Sequence, residues 1–342
     1  MSGSQQFRDE AMAQMQGAMS LSIAFIGISN GLFSSLAEMA QAGLEELSAK
    51  TGLDSGYLHR WCDAAFSFGL LDEINGKFAL TDRGRAFIPD SSGTAMPFAV
   101  QAMLAAHMAE RAANFMKTGE RPGEKVLAEC ESFLSLFGPM LEAMFSPLFE
   151  QQILPNVPVY KEIDLKSGLA VDLGCGNGWY LRKLAFRFKH LRGIGLDGFK
   201  ENIGLAARLA QRDGLENRLT FMTGDIYNFS VSEPVDLIAM NRALHHVWED
   251  KQKVFGFFKD HLNDGGAVVI WEPNWPPSRS DLRDPSRRGM AFQNLAEHIQ
   301  GNHFLRPEEI AAEFHNIGMK TDIHLFANGN EAVIVGRKVN KG

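Results

Sequence analysis

The chain has 342 residues, more than a single hydrophobic core usually organises, so two domains are expected. At 45% hydrophobic and 22% charged residues, its composition is that of a soluble globular protein rather than a disordered or fibrous one. A net charge of −7 and a pI near 5.8 argue against the dense basic surface needed to wrap nucleic acid, but leave room for a small anionic substrate held by a few arginines.

Cys62, Cys130 and Cys175 fit no metal-ligand spacing, and the polar N-terminus lacks the basic-then-apolar layout of a secretory signal. Both features point to a reducing, cytoplasmic setting. The apolar stretch from Ser20 to Ala37 contains several serines and Asn30-Gly31 near its middle, which reads as a buried, interrupted helix rather than a membrane span.

Residues 1–95 read as short helices followed by a hairpin. Thr51-Gly52-Leu53-Asp54-Ser55 is a turn rich in capping residues. Tyr57, Leu58, Trp61, Cys62, Ala65 and Phe66 then follow a helical period. Asn75-Gly76 joins two short extended segments, the strongest local signal for a tight hairpin. Helix, turn, helix, hairpin is a winged-helix order. Its second helix offers only His59 and Arg60 as polar reach, so packing or substrate capping is expected of it rather than base reading. Residues 96–160 form linking helices rich in Met and Phe, read as core or as the wall of an acceptor pocket.

From Gly168 onward, apolar strands alternate with helices, which implies a doubly wound α/β domain over residues 161–342 with a mainly parallel sheet. At the first strand-to-helix junction stands Asp172-Leu-Gly174-Cys-Gly176-Asn-Gly178. The G-x-G-x-G spacing differs from the dinucleotide fingerprint, and no phosphate-loop Gly-Lys follows. A carboxylate before the first glycine repels a pyrophosphate but attracts a ligand carrying an ammonium and a sulfonium, as S-adenosylmethionine does. Asp197 ends the second strand, placed to accept from ribose hydroxyls. After the third strand come Gly224, Asp225 and Ile226, with Asp225 toward the adenine amino group and Ile226 against its ring.

This set of motifs resembles the class I methyltransferase superfamily. The likeness extends to Asn241-Arg-Ala-Leu-His245-His246 after the fourth strand, Gly265-Gly266 before the fifth, Glu272-Pro273 after it, and a closing strand at Ala332 to Gly336. GLFSSLAEMA, LEELSAKTGLDSGYLHRW and FALTDRGRAFI are similar to the winged-helix dimerisation domain of small-molecule O-methyltransferases. The resemblance implies a seven-stranded Rossmann-like sheet, S-adenosylmethionine as methyl donor with S-adenosylhomocysteine as product, no metal, and a homodimer paired through the N-terminal domain. It also implies a cofactor site built from the glycine turn, Asp172, Asp197, Gly224, Asp225, Ile226 and Asn241.

A hydroxyl acceptor must lose a proton, and His245 or His246 is the candidate base, with Glu297 as the later acid that orients it. In the plant-like relatives an Asp-Trp pair follows the histidine; His246-Val247 stands here instead, with Glu249 and Asp250 close behind. Asn241 opens no Asn-Pro-Pro-Tyr step, against methylation of DNA adenine or protein amides. Arg279, Arg283, Arg287 and Arg288 form a candidate grip for an acceptor carboxylate or phosphate. The leading expectation is therefore O-methylation of a small molecule. The alternatives are S-, N- or C-methylation of a small carboxylated acceptor such as a thioether acid, or an adenosylmethionine-binding winged-helix regulator without catalysis.

Overall fold

The computed structural model describes residues 3–129, 131–165 and 167–339; Cys130 lies outside them. The chain divides into two compact units: Met1–Arg111 with Leu127–Ala143, and Ala112–Val126 with Met144–Gly342. Residues 96–160, expected from sequence to form linking helices, are divided between these two units.

The first unit begins with α1 (Gly3–Ser29), α2 (Leu32–Met39), α3 (Leu44–Thr51) and α4 (Ser55–Ser67), followed by the hairpin β1 (Leu71–Ile74) and β2 (Lys77–Leu80). The element order matches the sequence reading, and the local causes are visible. Asp54 caps α4 by accepting from Tyr57 N at 2.9 Å. Asn75 and Gly76 both take positive φ, as a two-residue hairpin turn requires. Phe33, Leu36, Leu47, Leu58 and Trp61 are buried in the core of this unit. At Gly27 the chain must be glycine, since a Cβ there would lie 2.5 Å from the Phe33 ring and 2.6 Å from the Trp61 ring.

The break at Asn30-Gly31 falls where the sequence places it, but α1 is much longer than the expected buried helix. Its N-terminal part is exposed, with Phe7 at 69%, Met12 at 53%, Met15 at 45% and Met19 at 49%. By length and composition alone, Ser4–Ser29 is apolar enough to cross a membrane.

The second unit is built on a seven-stranded sheet. Its strands are β3 (Leu169–Leu173), β4 (Arg192–Asp197), β5 (Leu219–Thr223), β6 (Val235–Asn241), β7 (Leu262–Pro273), β8 (Met319–Phe326) and β9 (Glu331–Lys338). They lie in the order β5-β4-β3-β6-β7-β9-β8. β3 to β7 are mutually parallel, while β9 runs antiparallel between β7 and β8. All five residues of β3 are buried, as a central strand covered on both faces demands. Strand β8, which the sequence reading did not single out, lies at the sheet edge with Ile323 and Leu325 exposed.

The strand order reverses between β3 and β6, because β3 pairs with β4 on one side and with β6 on the other. That reversal opens a crevice at the carboxyl ends of the strands, where ligands bind in open α/β sheets. Phe149, Tyr160, Trp179, Tyr180 and Trp271 form an aromatic cluster, with the Phe149 and Trp271 rings stacked at 6.2 Å.

Candidate functional site

The glycine turn leaves β3 at the crevice. Gly174, Gly176 and Gly178 all have positive φ, of 79°, 53° and 72°. A Cβ on Gly174 would come within 2.9 Å of Ala243 Cβ, so this first glycine is also what lets the turn after β3 and the turn after β6 lie side by side. Asp172 sits just before the turn, 1% exposed, and its Oδ1 accepts from Asn241 Nδ2 at 3.0 Å. Burial pushes its carboxyl up to about 7, against the lowering effect of the Asn241 bond and with a further rise from nearby Asp197. Asn241 Oδ1 is buried without a hydrogen-bond partner, an acceptor available to an incoming donor.

Asp197, at the end of β4, ties the turn to the next strand. Its Oδ2 accepts from Gly176 N at 2.9 Å, and its Oδ1 accepts from Phe199 N at 2.9 Å and from Asn202 Nδ2 at 3.1 Å. Gly224 N donates to Asp197 O at 3.0 Å, which brings the turn after β5 alongside. Asp225 is exposed and caps locally by accepting from Tyr227 N, while Ile226 is half-buried and packs against the core. The expected cofactor residues therefore converge along the ends of β3, β4, β5 and β6.

After β6 the chain turns sharply. Arg242 adopts φ 56°, an uncommon conformation for a residue with a Cβ, and its N–H donates to Trp271 O at 2.7 Å. Its guanidinium makes a paired contact with the Glu331 carboxylate at 3.0 and 2.9 Å and lies 4.5 Å above the Phe145 ring. The turn delivers Leu244 and His245 to Glu272, whose Oε1 accepts both backbone N–H groups at 2.8 and 3.3 Å. Glu272 Oε2 lies 2.7 Å from His245 Nδ1, so one carboxylate fixes both the backbone and the ring.

His245 is 4% exposed, and its Nε2 has no hydrogen-bond partner; Glu297 Oε2 lies 3.7 Å away. Burial opposes the imidazolium, but the charge and hydrogen bond of Glu272, with the charge of Glu297 beyond, outweigh it and raise the ring to about 9. Glu297 is likewise opposed by its own burial yet held below the usual carboxylate range by His245 and His246. His246 stacks obliquely on His245 with ring centres 4.3 Å apart, and its Nδ1 is 3.1 Å from Glu124 Oε1 and 2.9 Å from Asn302 Nδ2. Phe304 meets His245 edge-on at 5.3 Å, and Trp275 lies beside Phe304.

Of the residues singled out from sequence, His245, His246 and Glu297 come together, whereas Asp250 pairs with Lys253. Among the arginines, Arg279, Arg283 and Arg288 are exposed; Arg287 is half-buried, with a buried Nη1 lacking a partner. Glu272, Glu124 and Asn302 were not assigned roles from sequence. Glu272 left one trace there, an acid ending the apolar run from Ala267 to Trp271.

Residues 170–266 match a family model described as a methyltransferase domain. Trans-aconitate 2-methyltransferase of Streptomyces avermitilis is 34% identical over 150 residues, which is 43% of this chain and 54% of that protein. The chain thus spans about half the length of this curated relative. Over its whole length the fold is similar to that of an O-methyltransferase family protein from Burkholderia thailandensis, with TM-score 0.72, 15% identity and all of both chains covered. It is also similar to human N-acetylserotonin methyltransferase solved with S-adenosylmethionine, with TM-score 0.70, 18% identity and 99% of each chain covered.

Proposed function

We propose that this chain, which carries a class I S-adenosylmethionine-dependent methyltransferase domain, methylates a hydroxyl of a small molecule with His245 as the base. The observation that carries the reading is the buried His245 ring, clamped at Nδ1 by Glu272 and presenting an unpartnered Nε2 beside the cofactor crevice.

The residues present fit the donor. Three positive-φ glycines give close backbone approach, the buried Asn241 Oδ1 needs a donor such as an ammonium, and Asp172 and Asp197 supply negative charge to a cationic ligand. When bound, S-adenosylmethionine supplies a methyl group on a sulfonium, an electrophile that needs alignment more than activation. Asp172 and Asn241 would hold its amino-acid end, Asp197 the ribose, and Asp225 with Ile226 the adenine.

The chain's own part in the chemistry is at the acceptor. Glu272 holds the ring so that Nε2 faces the hydroxyl. With a cationic ligand bound beside it, the His245 ring would be drawn toward its neutral, proton-accepting form. His245 Nε2 would take the proton that the acceptor hydroxyl loses as its oxygen is methylated. The resulting imidazolium is stabilised between Glu272 and Glu297. The half-buried Trp275, packed beside the buried Phe304, would offer apolar surface to a ring-bearing acceptor. The exposed Phe7, Met12, Met15 and Met19 of α1 support pairing of two copies through the first unit.

A carboxylated acceptor, methylated at oxygen or at an atom with no proton to lose, is favoured by one observation, the buried unpartnered Nη1 of Arg287. The test is turnover of His245→Gln on phenols and small carboxylic acids, after confirming unchanged cofactor binding by calorimetry. The base role predicts a loss of roughly 100-fold or more on hydroxyl acceptors. Activity within a few-fold of wild type on every accepted substrate would remove His245 as base.

A further inference from the structure

We propose that His245, His246 and Glu297 also form a site for a divalent transition-metal ion. The inference goes beyond the methyl-transfer reading and does not require it.

One donor atom from each of the three residues lies within 4.8 Å of the others. Around a four-coordinate ion with bonds of about 2.0–2.1 Å, neighbouring donors sit about 3.4 Å apart. The His245 Nε2 to Glu297 Oε2 separation is already 3.7 Å, so contraction by at most about 1.4 Å at the widest pair closes the set. Within the set, the His245 ring is 4% exposed and its Nε2 has no hydrogen-bond partner.

The surroundings are those a metal-binding histidine needs. His245 Nδ1 is held by Glu272 Oε2 at 2.7 Å, and His246 Nδ1 lies 3.1 Å from Glu124 Oε1. The His245 ring is thereby oriented by a carboxylate on the side away from Nε2, which fixes its tautomer and raises its basicity as a ligand. Three carboxylates, Glu124, Glu272 and Glu297, face two imidazoles, so a divalent cation relieves an excess of negative charge when the rings are neutral. Two imidazoles and one carboxylate suit zinc, cobalt or nickel; calcium and magnesium prefer all-oxygen sets. With a metal on Nε2, that lone pair cannot accept an acceptor's proton.

The experiment is cobalt(II) titration of the full-length, tag-free chain treated first with chelator, read by visible d–d absorption and by calorimetry, then displaced with zinc(II). We expect saturable one-to-one uptake whose spectrum reports four or five ligands including nitrogen, and whose affinity falls at least tenfold in His246→Gln and in Glu297→Gln. Glu272→Gln, which leaves all three ligands in place, should weaken binding about 10–100-fold. The exposed His59→Gln should change nothing. Retained S-adenosylmethionine binding certifies that each variant is folded. Absence of saturable uptake at micromolar metal, or uptake undiminished in the His246→Gln/Glu297→Gln double variant, overturns the proposal. Neither result bears on the base role, which is read by turnover in the presence of chelator.

Discussion

Replacing Asp172 with Asn separates what this carboxylate costs the fold from what it gives the cofactor. Burial raises its carboxyl from 3.8 to about 7. An acid whose folded value lies above its unfolded one makes the fold bind the proton more tightly, so stability is lost as pH rises. The penalty is absent below about 4, grows between about 4 and 7, and is full above 7. A difference of that size corresponds to about 4 kcal/mol. Asn has the same shape, carries no charge, and can keep the bond to Asn241 by turning its amide oxygen toward it. Asp172→Asn should therefore raise the apparent Tm at pH 8 by about 5–10 °C and lose more than half of that gain by pH 5. Cofactor affinity should move the other way. Loss of the charge should weaken S-adenosylmethionine binding by roughly 10–100-fold at pH 8. In the wild type, affinity should fall by up to about tenfold per pH unit below 7, because a proton must leave first, and this slope should vanish in the variant. Melting curves at both pH values and calorimetric titration from pH 6 to pH 8 give both quantities. A Tm gain that does not depend on pH, or a variant that binds the cofactor as tightly as wild type, refutes the reasoning.

Asp197→Ala removes the acceptor of Gly176 N, Phe199 N and Asn202 together. S-adenosylmethionine affinity should drop about tenfold or more by calorimetry, and an unchanged value would reject the ribose contact. Glu331→Gln leaves Arg242 half-paired at its positive-φ position, which should cost about 3 kcal/mol. The loss is read from the denaturant midpoint. Turnover should fall in parallel, since the same turn carries Asn241 and His245; an unchanged midpoint would show that the Trp271 and Phe145 contacts alone hold it.

The sequence by itself determined the alternation of strands and helices, the glycine turn, and the acids Asp172 and Asp197, because each is a local pattern whose chemistry is written in neighbouring residues. It also located the Asn75-Gly76 hairpin and the break at Asn30-Gly31. Edge strand β8 left a weaker trace, since its apolar residues follow no regular period of two. The acid–histidine cluster was decided by tertiary structure. Glu272 and Glu297 reach His245 from 27 and 52 positions away, and the parallel register that sets Asn241 opposite Trp271 brings Glu272 to the turn after β6. Local periodicity carries no information about which strand end will lie beside which. The same holds for Asp172, whose type was legible but whose raised carboxyl was not. Desolvation depends on what the rest of the chain packs around it, and a sequence reports that packing only once the chain is folded.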